Sequence, residues 1–286
     1  METRLTFRDQ SVIISPEQPF AVIGERINPT RRKKLAESMA LGDFSVVQED
    51  ARKQVEAGAR ILDVNAGIPG ADEPALICGA VQALMEVAQV PLCFDSANPE
   101  ALKAALEIYP GKALINSTTA EESMMSHVLP LAKQYGAAVI GVITDENGIP
   151  ATPGARLAVA RKLVDRAADY GIPPEDVLID CLALTVGADH KAGQVTLDSI
   201  GLVRDEMGVN LSLGASNVSF GLPDRKVINI AYLALAIARG LTAAITDPTV
   251  PEIQTMLLAC DLLMGRDEYA MRWIKAFRKR SQPVQV

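Results

Sequence analysis

A single-domain (β/α)₈ barrel (a TIM barrel, in the α/β class) is the fold this 286-residue chain predicts, and three features of the sequence point to it. Apolar runs closed by a polar residue recur along the chain as FAVIGERIN, RILDVN, VPLCFDS, KALINS, AAVIGVITD, DVLID, VNLSLGASN and TAAITD. Their starts lie roughly 20 to 40 residues apart, the interval at which a buried parallel strand alternates with a covering helix. The runs are built from alanine, valine, leucine and isoleucine, and only 4% of the chain is aromatic, which suits barrel strands packed on both faces. A barrel takes about 250 residues and leaves roughly 20 at each end. The expected division is an N-terminal extension at 1–19, the barrel at 20–265, and a C-terminal helix and tail at 266–286.

The elements follow in order. Residues 1–19 contain Pro16 and Pro19 and read as an extended or hairpin segment closing the bottom of the barrel. Asp43 is placed to cap a helix whose apolar positions include Val46, Val47, Val55 and Ala59. Asn98–Pro99 is a cap followed by proline at the first helical position. Gly58, Gly136, Gly171 and Gly208 stand where helices must stop in a left-handed turn before the next strand. Two connections are long, residues 182–196 after the sixth strand and 218–226 after the seventh, and loops of that length are more often binding surfaces than packing devices. The apolar segment from Val227 to Ile245 is interrupted by Arg239–Gly240 and reads as a buried helix followed by the eighth strand, not as a membrane span.

In such a barrel the C-terminal strand ends form the mouth where chemistry is done, so the polar residues that close the runs converge there. They are Glu25 and Asn28, Asp63 and Asn65, Asp95, Asn116, Asp145, Asp180, Ser216 and Asn217, and Asp247. Asp145 and Asp247 read as structural, the latter as a helix cap before Pro248. For Asp63, Asp95 and Asp180 three chemistries stand open: a divalent-metal site, an acid/base pair, or a fork for a ligand rich in N–H donors. No strand ends in histidine, which removes zinc and iron(II) and leaves magnesium or manganese for the metal reading. His127 and His190 fall in a helix and a loop. Asn65, Asn116 and Asn217 among the carboxylates favour the third reading, because an amide both donates and accepts without charge and so matches a neutral heterocycle. An aspartate can take two parallel N–H bonds from an amino-pyrimidine edge. Cys181 beside Asp180 reads as a packed thiol, since no partner histidine stands at a neighbouring strand end.

With 28 basic and 35 acidic residues, a nucleic-acid role is disfavoured. The basic clusters at Arg31–Lys34 and around Lys275, Arg278, Lys279 and Arg280 read as solvated helix faces or last helical turns. Four cysteines without C-x-x-C spacing and an N-terminus with no signal-like apolar stretch point to reduced thiols, a cytoplasmic location and no membrane attachment.

Taken together and in order, GERIN, LDVNAG, LCFDS, INST, LID and SNVSF with Arg225 five residues on resemble the pterin-binding barrel of methyltetrahydrofolate:corrinoid protein methyltransferases, over about residues 20–280. Each motif alone is weak; six in order, each at a strand end, are specific. The resemblance implies a methyltransferase that moves a methyl group between a tetrahydrofolate ring nitrogen and the cobalt of a corrinoid, in a direction the residues do not fix. It implies that Asp95, Asn116 and Asp180 hold the pyrimidine edge of the pterin and that Asn217, the expected catalytic residue, faces the methyl-bearing nitrogen. Arg225 would meet the aminobenzoyl-glutamate part of the folate, and Glu25, Asp63, Asn65, Ser216 and Phe220 would complete the pocket, with no metal ligand. Close relatives carry glutamine where Phe220 stands, whereas the methionine-synthase branch has SNVSF.

The cobalamin-binding signature D-x-H-x-x-G is missing, its nearest match from Ala188 to Gly193 having alanine in place of the aspartate. The cobalamin is therefore expected on a separate corrinoid protein that docks over the mouth, and a homodimer is expected from the family. Dihydropteroate synthases share the barrel but carry a lysine near the seventh strand and an arginine–histidine pair at the eighth. This chain has GASN and ITDP there, which argues against a synthase. Two further readings compete with the methyltransferase: a divalent-metal aldolase or lyase barrel, and a non-catalytic folate- or corrinoid-binding protein.

Overall fold

The computed structural model describes residues 1–281, so the expected C-terminal tail is followed as far as Ser281 and residues 282–286 lie outside the described residues. The chain begins with an antiparallel hairpin, β1 (Thr3–Phe7) and β2 (Gln10–Ile14). The barrel strands are β3 (Ala21–Ile27), β4 (Ile61–Val64), β5 (Leu92–Asp95), β6 (Leu114–Thr119), β7 (Ala138–Val142), β8 (Val177–Asp180), β9 (Leu211–Ser212) and β10 (Ala243–Thr246). They pair in parallel in the order β10-β3-β4-β5-β6-β7-β8-β9. A parallel bridge between Gly214 and Ile245 closes the ring, with the Thr242 amide donating to the Leu211 carbonyl at 3.2 Å. This is the (β/α)₈ barrel.

Around it run α1 (Lys33–Ala40), α2 (Ser45–Glu56), α3 (Glu73–Val87), α4 (Pro99–Ile108), α5 (Glu122–Tyr135), α6 (Pro153–Asp169), α7 (Ala192–Met207), α8 (Arg225–Arg239), α9 (Pro251–Leu263) and α10 (Met271–Ser281). The Asn98 side chain accepts from the Glu100 amide with Pro99 opening α4, as the dipeptide implied. Gly58, Gly136, Gly171 and Gly208 all have positive φ. The Asp43 cap is displaced by one position: Phe44 precedes the helix, and the Asp43 carboxylate accepts from the Ser45 amide.

Two side-chain sets share the strands by their period of two. One set faces the helices and forms the larger core with Leu62, Val64, Phe94, Ile115, Val139 and Ile179. The other fills the barrel interior with Ala21, Ile23, Ile61, Cys93, Leu114, Ala138, Ile140, Leu178 and Ala243. Leu5, Val12 and Ile14 of the hairpin pack against that interior set, so the hairpin seals the bottom. It is fastened there by polar contacts as well. The Lys112 amide, just before β6, donates to Thr6 Oγ1 at 2.8 Å, and the Asn210 side-chain amide, just before β9, donates to Thr3 Oγ1 at 2.9 Å and to the Ile14 carbonyl at 2.8 Å.

Four expectations change. The segment expected as a long loop at 182–196 becomes helical at Ala192, so the connection is shorter. The seventh run is laddered only at Leu211–Ser212, and Ser216 and Asn217 lie on a 3₁₀ turn, Ala215–Ser219. The α8 helix is amphipathic, not buried throughout, with Val227 and Leu235 each 55% exposed. Of the two readings of the Arg31–Lys34 cluster, the last helical turn is excluded, since Lys33 and Lys34 open α1 on its exposed face, and Arg32 is not solvated but ion-paired with Asp50 at 2.6 Å. Among the described residues no helix is long and apolar enough to cross a membrane.

Candidate active site at the barrel mouth

Strand parity builds the site. Each interior-facing apolar residue is followed two positions on by a side chain on the same face, one pleat nearer the C-terminal end. Above Ile23 stands Glu25, above Ile61 Asp63, above Cys93 Asp95, above Leu114 Asn116, and above Leu178 Asp180. On β7 and β10 the same step from Ile140 and Ala243 reaches Val142 and Ile245, which pack against the interior cluster. The mouth therefore has a polar arc and two apolar positions. Val142 and Ile245 escape a reading of strand ends that seeks polar residues; the period of two would find them.

The polar groups are tied to one another. The Asn116 amide donates to Asp63 Oδ1 and the Asn65 amide to Asp95 Oδ2, both at 3.1 Å. Asp180 accepts the Leu182 amide on Oδ1 at 2.7 Å and the Gly214 amide on Oδ2 at 3.2 Å, which binds β8 to the turn after β9. The Ser216 hydroxyl lies 3.1 and 3.2 Å from the two Glu25 oxygens. Arg225 donates from Nη2 to the Ser216 carbonyl at 2.6 Å and from Nε to Ser219 Oγ at 3.0 Å. The turn is thus held from three sides. Asn217 lies on its exposed side, and its side-chain amide makes no hydrogen bond among the described residues. Ser212, beside Asp180 in the ladder, is fully buried with its hydroxyl unpartnered, a polar interior position hidden in the apolar seventh run.

Crowding acid groups into a poorly solvated mouth disfavours their charged forms. Burial lifts the Asp63 carboxyl to about 8, with the neighbouring Asp95 charge adding and the Asn116 amide opposing. Burial likewise raises Asp95, opposed by the Asn65 amide. Burial raises Glu25 to about 7 against the Ser216 hydrogen bond, and Asp180 to about 6 against the two backbone amides it accepts. The rim therefore combines carboxyl groups whose protonated forms burial favours with side-chain amides, a set that can both donate and accept. The Cys181 thiol is buried and its pKa is pushed up by that burial, as a packed cysteine's would be.

Other strand-end residues stand apart from this network. The Asn28 side chain accepts the Thr30 amide and Asp145 the Asn147 amide, both local turns. Asp247 is not a helix cap: α9 starts at Pro251, while Asp247 accepts from Thr249 and pairs with Arg26 at 2.9 Å. His127 lies in α5 and His190 in the loop before α7, both exposed. The rim carboxyls are spread around the mouth, and among the described residues no three histidine, cysteine, aspartate or glutamate side chains gather closely enough to hold a metal ion. A separate cavity of about 280 Å³ beside α10, lined by Arg60, Asp261 and Arg272 among others, contains none of the rim residues.

Residues 24–247, from the first rim strand to the last, match the model of the family described as pterin binding enzyme. The chain belongs to the pterin-binding enzyme family. This pterin-binding barrel is 30% identical over 272 residues to the methylcorrinoid:tetrahydrofolate methyltransferase of Eubacterium limosum, covering 93% of the chain and 99% of that protein. It is also 30% identical over 291 residues to the methionine synthase of Mycobacterium leprae, where it spans 24% of the longer protein. Among solved structures it resembles a Xanthomonas albilineans dihydropteroate synthase with a TM-score of 0.68 at 18% identity, covering 92% of this chain and 98% of that one. At that identity the likeness is one of fold.

Proposed function

We propose that this pterin-binding enzyme is a methyltransferase that moves a methyl group between N5 of tetrahydrofolate and the cobalt of a corrinoid carried by a separate protein. The observation that carries the reading is the arc formed by Asp95, Asn116 and Asp180, with the unengaged amide of Asn217 beside it on a side-chain-anchored turn. The full-length likeness to the Eubacterium limosum methyltransferase supports it. The donor set fits the substrate: a pterin edge alternates N–H and carbonyl groups, and the rim offers carboxyl groups, raised in pKa by burial, together with amides to meet them. Val142 and Ile245 supply apolar surface for the ring.

Asp95, Asn116 and Asp180 orient the pterin so that its methyl group faces out of the mouth. When the methyl leaves, the carbon–nitrogen bonding pair stays on N5, which must gain a proton or a strong hydrogen bond to be an acceptable leaving group. Asn217 donates that bond from Nδ2. The bond strengthens as charge builds on the nitrogen, so it lowers the barrier more than it tightens binding. Glu25, with a pKa of about 7, contacts the Ser216 hydroxyl next to Asn217 and can hold or release a proton there at neutral pH. The corrinoid supplies the other methyl-exchanging centre when its carrier docks over the open mouth. The same geometry serves transfer in either direction.

Single-turnover transfer from methyltetrahydrofolate to free reduced cobalamin tests the proposal. The expected result is transfer that chelators do not inhibit, reduced about 100-fold in Asn217→Ala, the usual scale for losing one transition-state donor, with folate affinity changed only a few-fold. Full single-turnover transfer by Asn217→Ala would remove the donor role. Activity that depends on an added divalent cation would instead support the aldolase reading.

A further inference from the structure

We propose that Arg156 is a positioning residue for the barrel mouth: from α6 it grips the chain just after Asp180 and so fixes how the Asp180 carboxyl group is presented to the pterin. That role deepens the proposed function and rests on its placing of Asp180. Arg156 lies in the first turn of α6 and is only 1% exposed. Neither setting favours a cation, because a charge is costly to remove from water and the first turn is the positive end of the helix dipole. No carboxylate lies within ion-pair distance of the guanidinium among the described residues, and burial lowers its pKa. Its partners are oxygen dipoles instead. Nη1 donates to the Cys181 carbonyl at 2.8 Å, the Leu182 carbonyl at 3.2 Å and Thr196 Oγ1 of α7 at 3.1 Å, while Nε donates to the Pro150 carbonyl at 3.0 Å.

One of these bonds reaches the mouth through a single peptide plane. The Cys181 carbonyl and the Leu182 amide are opposite ends of the same rigid unit, so a donor that holds the carbonyl on one side aims the N–H to the other. That N–H is the one Asp180 accepts on Oδ1 at 2.7 Å. Leu182 has a φ of 55°, in the left-handed region that a leucine occupies only when its surroundings hold it there. Its own carbonyl is held by Arg156 together with Thr196 Oγ1, the latter at 3.0 Å. With the Gly214 amide on Oδ2, the carboxyl group is fixed by two backbone donors, and Arg156 sets one of them. The guanidinium charge also opposes the effect of burial on Asp180. The titratable groups facing it are Asp180 and Cys181 at the end of β8 and Tyr232 of α8. Burial raises the Cys181 thiol and lifts the Tyr232 phenol to about 12, so Asp180 is the one of the three that changes charge below neutral pH.

The Asp180 carboxyl carbon is followed by NMR against pH without folate, its signal assigned by its disappearance in Asp180→Asn, in the unaltered enzyme, Arg156→Met and Arg156→Lys. Losing an aimed N–H and a nearby cation favours the protonated acid. The midpoint is therefore expected to move up from about 6 towards neutral in Arg156→Met, and by less in Arg156→Lys, which keeps the charge but not the planar fork. By titration calorimetry, methyltetrahydrofolate should bind Arg156→Met about fivefold more weakly than the unaltered enzyme at pH 6, the effect of displacing the midpoint by roughly one pH unit, and should regain most of that loss at pH 9. An arginine that serves packing alone would weaken binding equally at both pH values, with the midpoint unmoved. An unmoved midpoint in Arg156→Met, or in Arg156→Lys should the methionine variant not fold, would overturn the positioning role and leave the proposed function standing. A displaced midpoint with folate affinity unchanged at every pH would support the positioning role and remove Asp180 from the pterin site instead.

Discussion

The two ends of this barrel use the same strands and the same alternation of side chains, yet they behave in opposite ways. At the bottom the interior set is apolar and is covered by Leu5, Val12 and Ile14 of the hairpin, and the hairpin's polar groups are matched to Lys112 and Asn210. At the top the same rows end in Glu25, Asp63, Asp95, Asn116 and Asp180, whose acids are pushed towards their uncharged forms by burial and, at Asp63, by the neighbouring Asp95 as well. One end is finished as a closed core; the other is a set of bonding groups awaiting a matching edge. A single step along each strand separates folding surface from binding surface.

That contrast can be broken from either side. The largest effect is expected at the bottom, where Leu5→Ala deletes a fully buried side chain: unfolding in urea should show a loss of about 3 kcal/mol, the cost of a core cavity, with folate affinity little changed. A large loss of affinity instead would mean that the plug and the mouth are coupled. Somewhat smaller is Asp180→Ala at the top. Removing a carboxylate expected to take two N–H bonds should weaken folate binding about 100-fold by calorimetry, and undiminished binding would move the pterin elsewhere.

The smallest effect sharpens the contrast through pH. Asp63 has a folded-state pKa of about 8 against an ordinary 3.8, so the fold favours its protonated form. Its contribution to stability is intact below about pH 4 and is lost as pH rises towards 8, because the unfolded chain gives up the proton first. Asp63→Asn keeps an oxygen for the Asn116 amide and removes the titration. At pH 8 this variant should be the more stable protein by at least about 1 kcal/mol, roughly one pH unit of linkage, and at pH 4 the difference should vanish. Parallel melting curves across that range would contradict the assignment of a buried, proton-holding acid.

Much of this was legible in the residues. The barrel was readable because every buried strand is a short apolar run with a turn signal at its close, and the polar arc because the rim residues close those runs. What the sequence hid is instructive. VNLSLGASN looks like a full strand, yet only Leu211–Ser212 is laddered, since the backbone amide of Gly214 is taken by the Asp180 side chain. Asp247 looks like a cap before proline, yet the distant Arg26 claims it. Arg31 looks like one of four solvated cations, and only the folded chain brings it to Phe220, far away in sequence. Local chemistry announces strands and turns; pairings across the mouth depend on closure of the ring.

The brevity of β9 has one more consequence. Beyond Ser212 the chain is governed less by the sheet than by separate side-chain tethers from Asp180, Glu25, Arg225 and Thr185. Substitutions among these tethers can re-aim the arm that carries Asn217 and Phe220 while the ring of strands persists. Over evolutionary time, such an arm would let what the protein acts upon diverge sooner than its architecture.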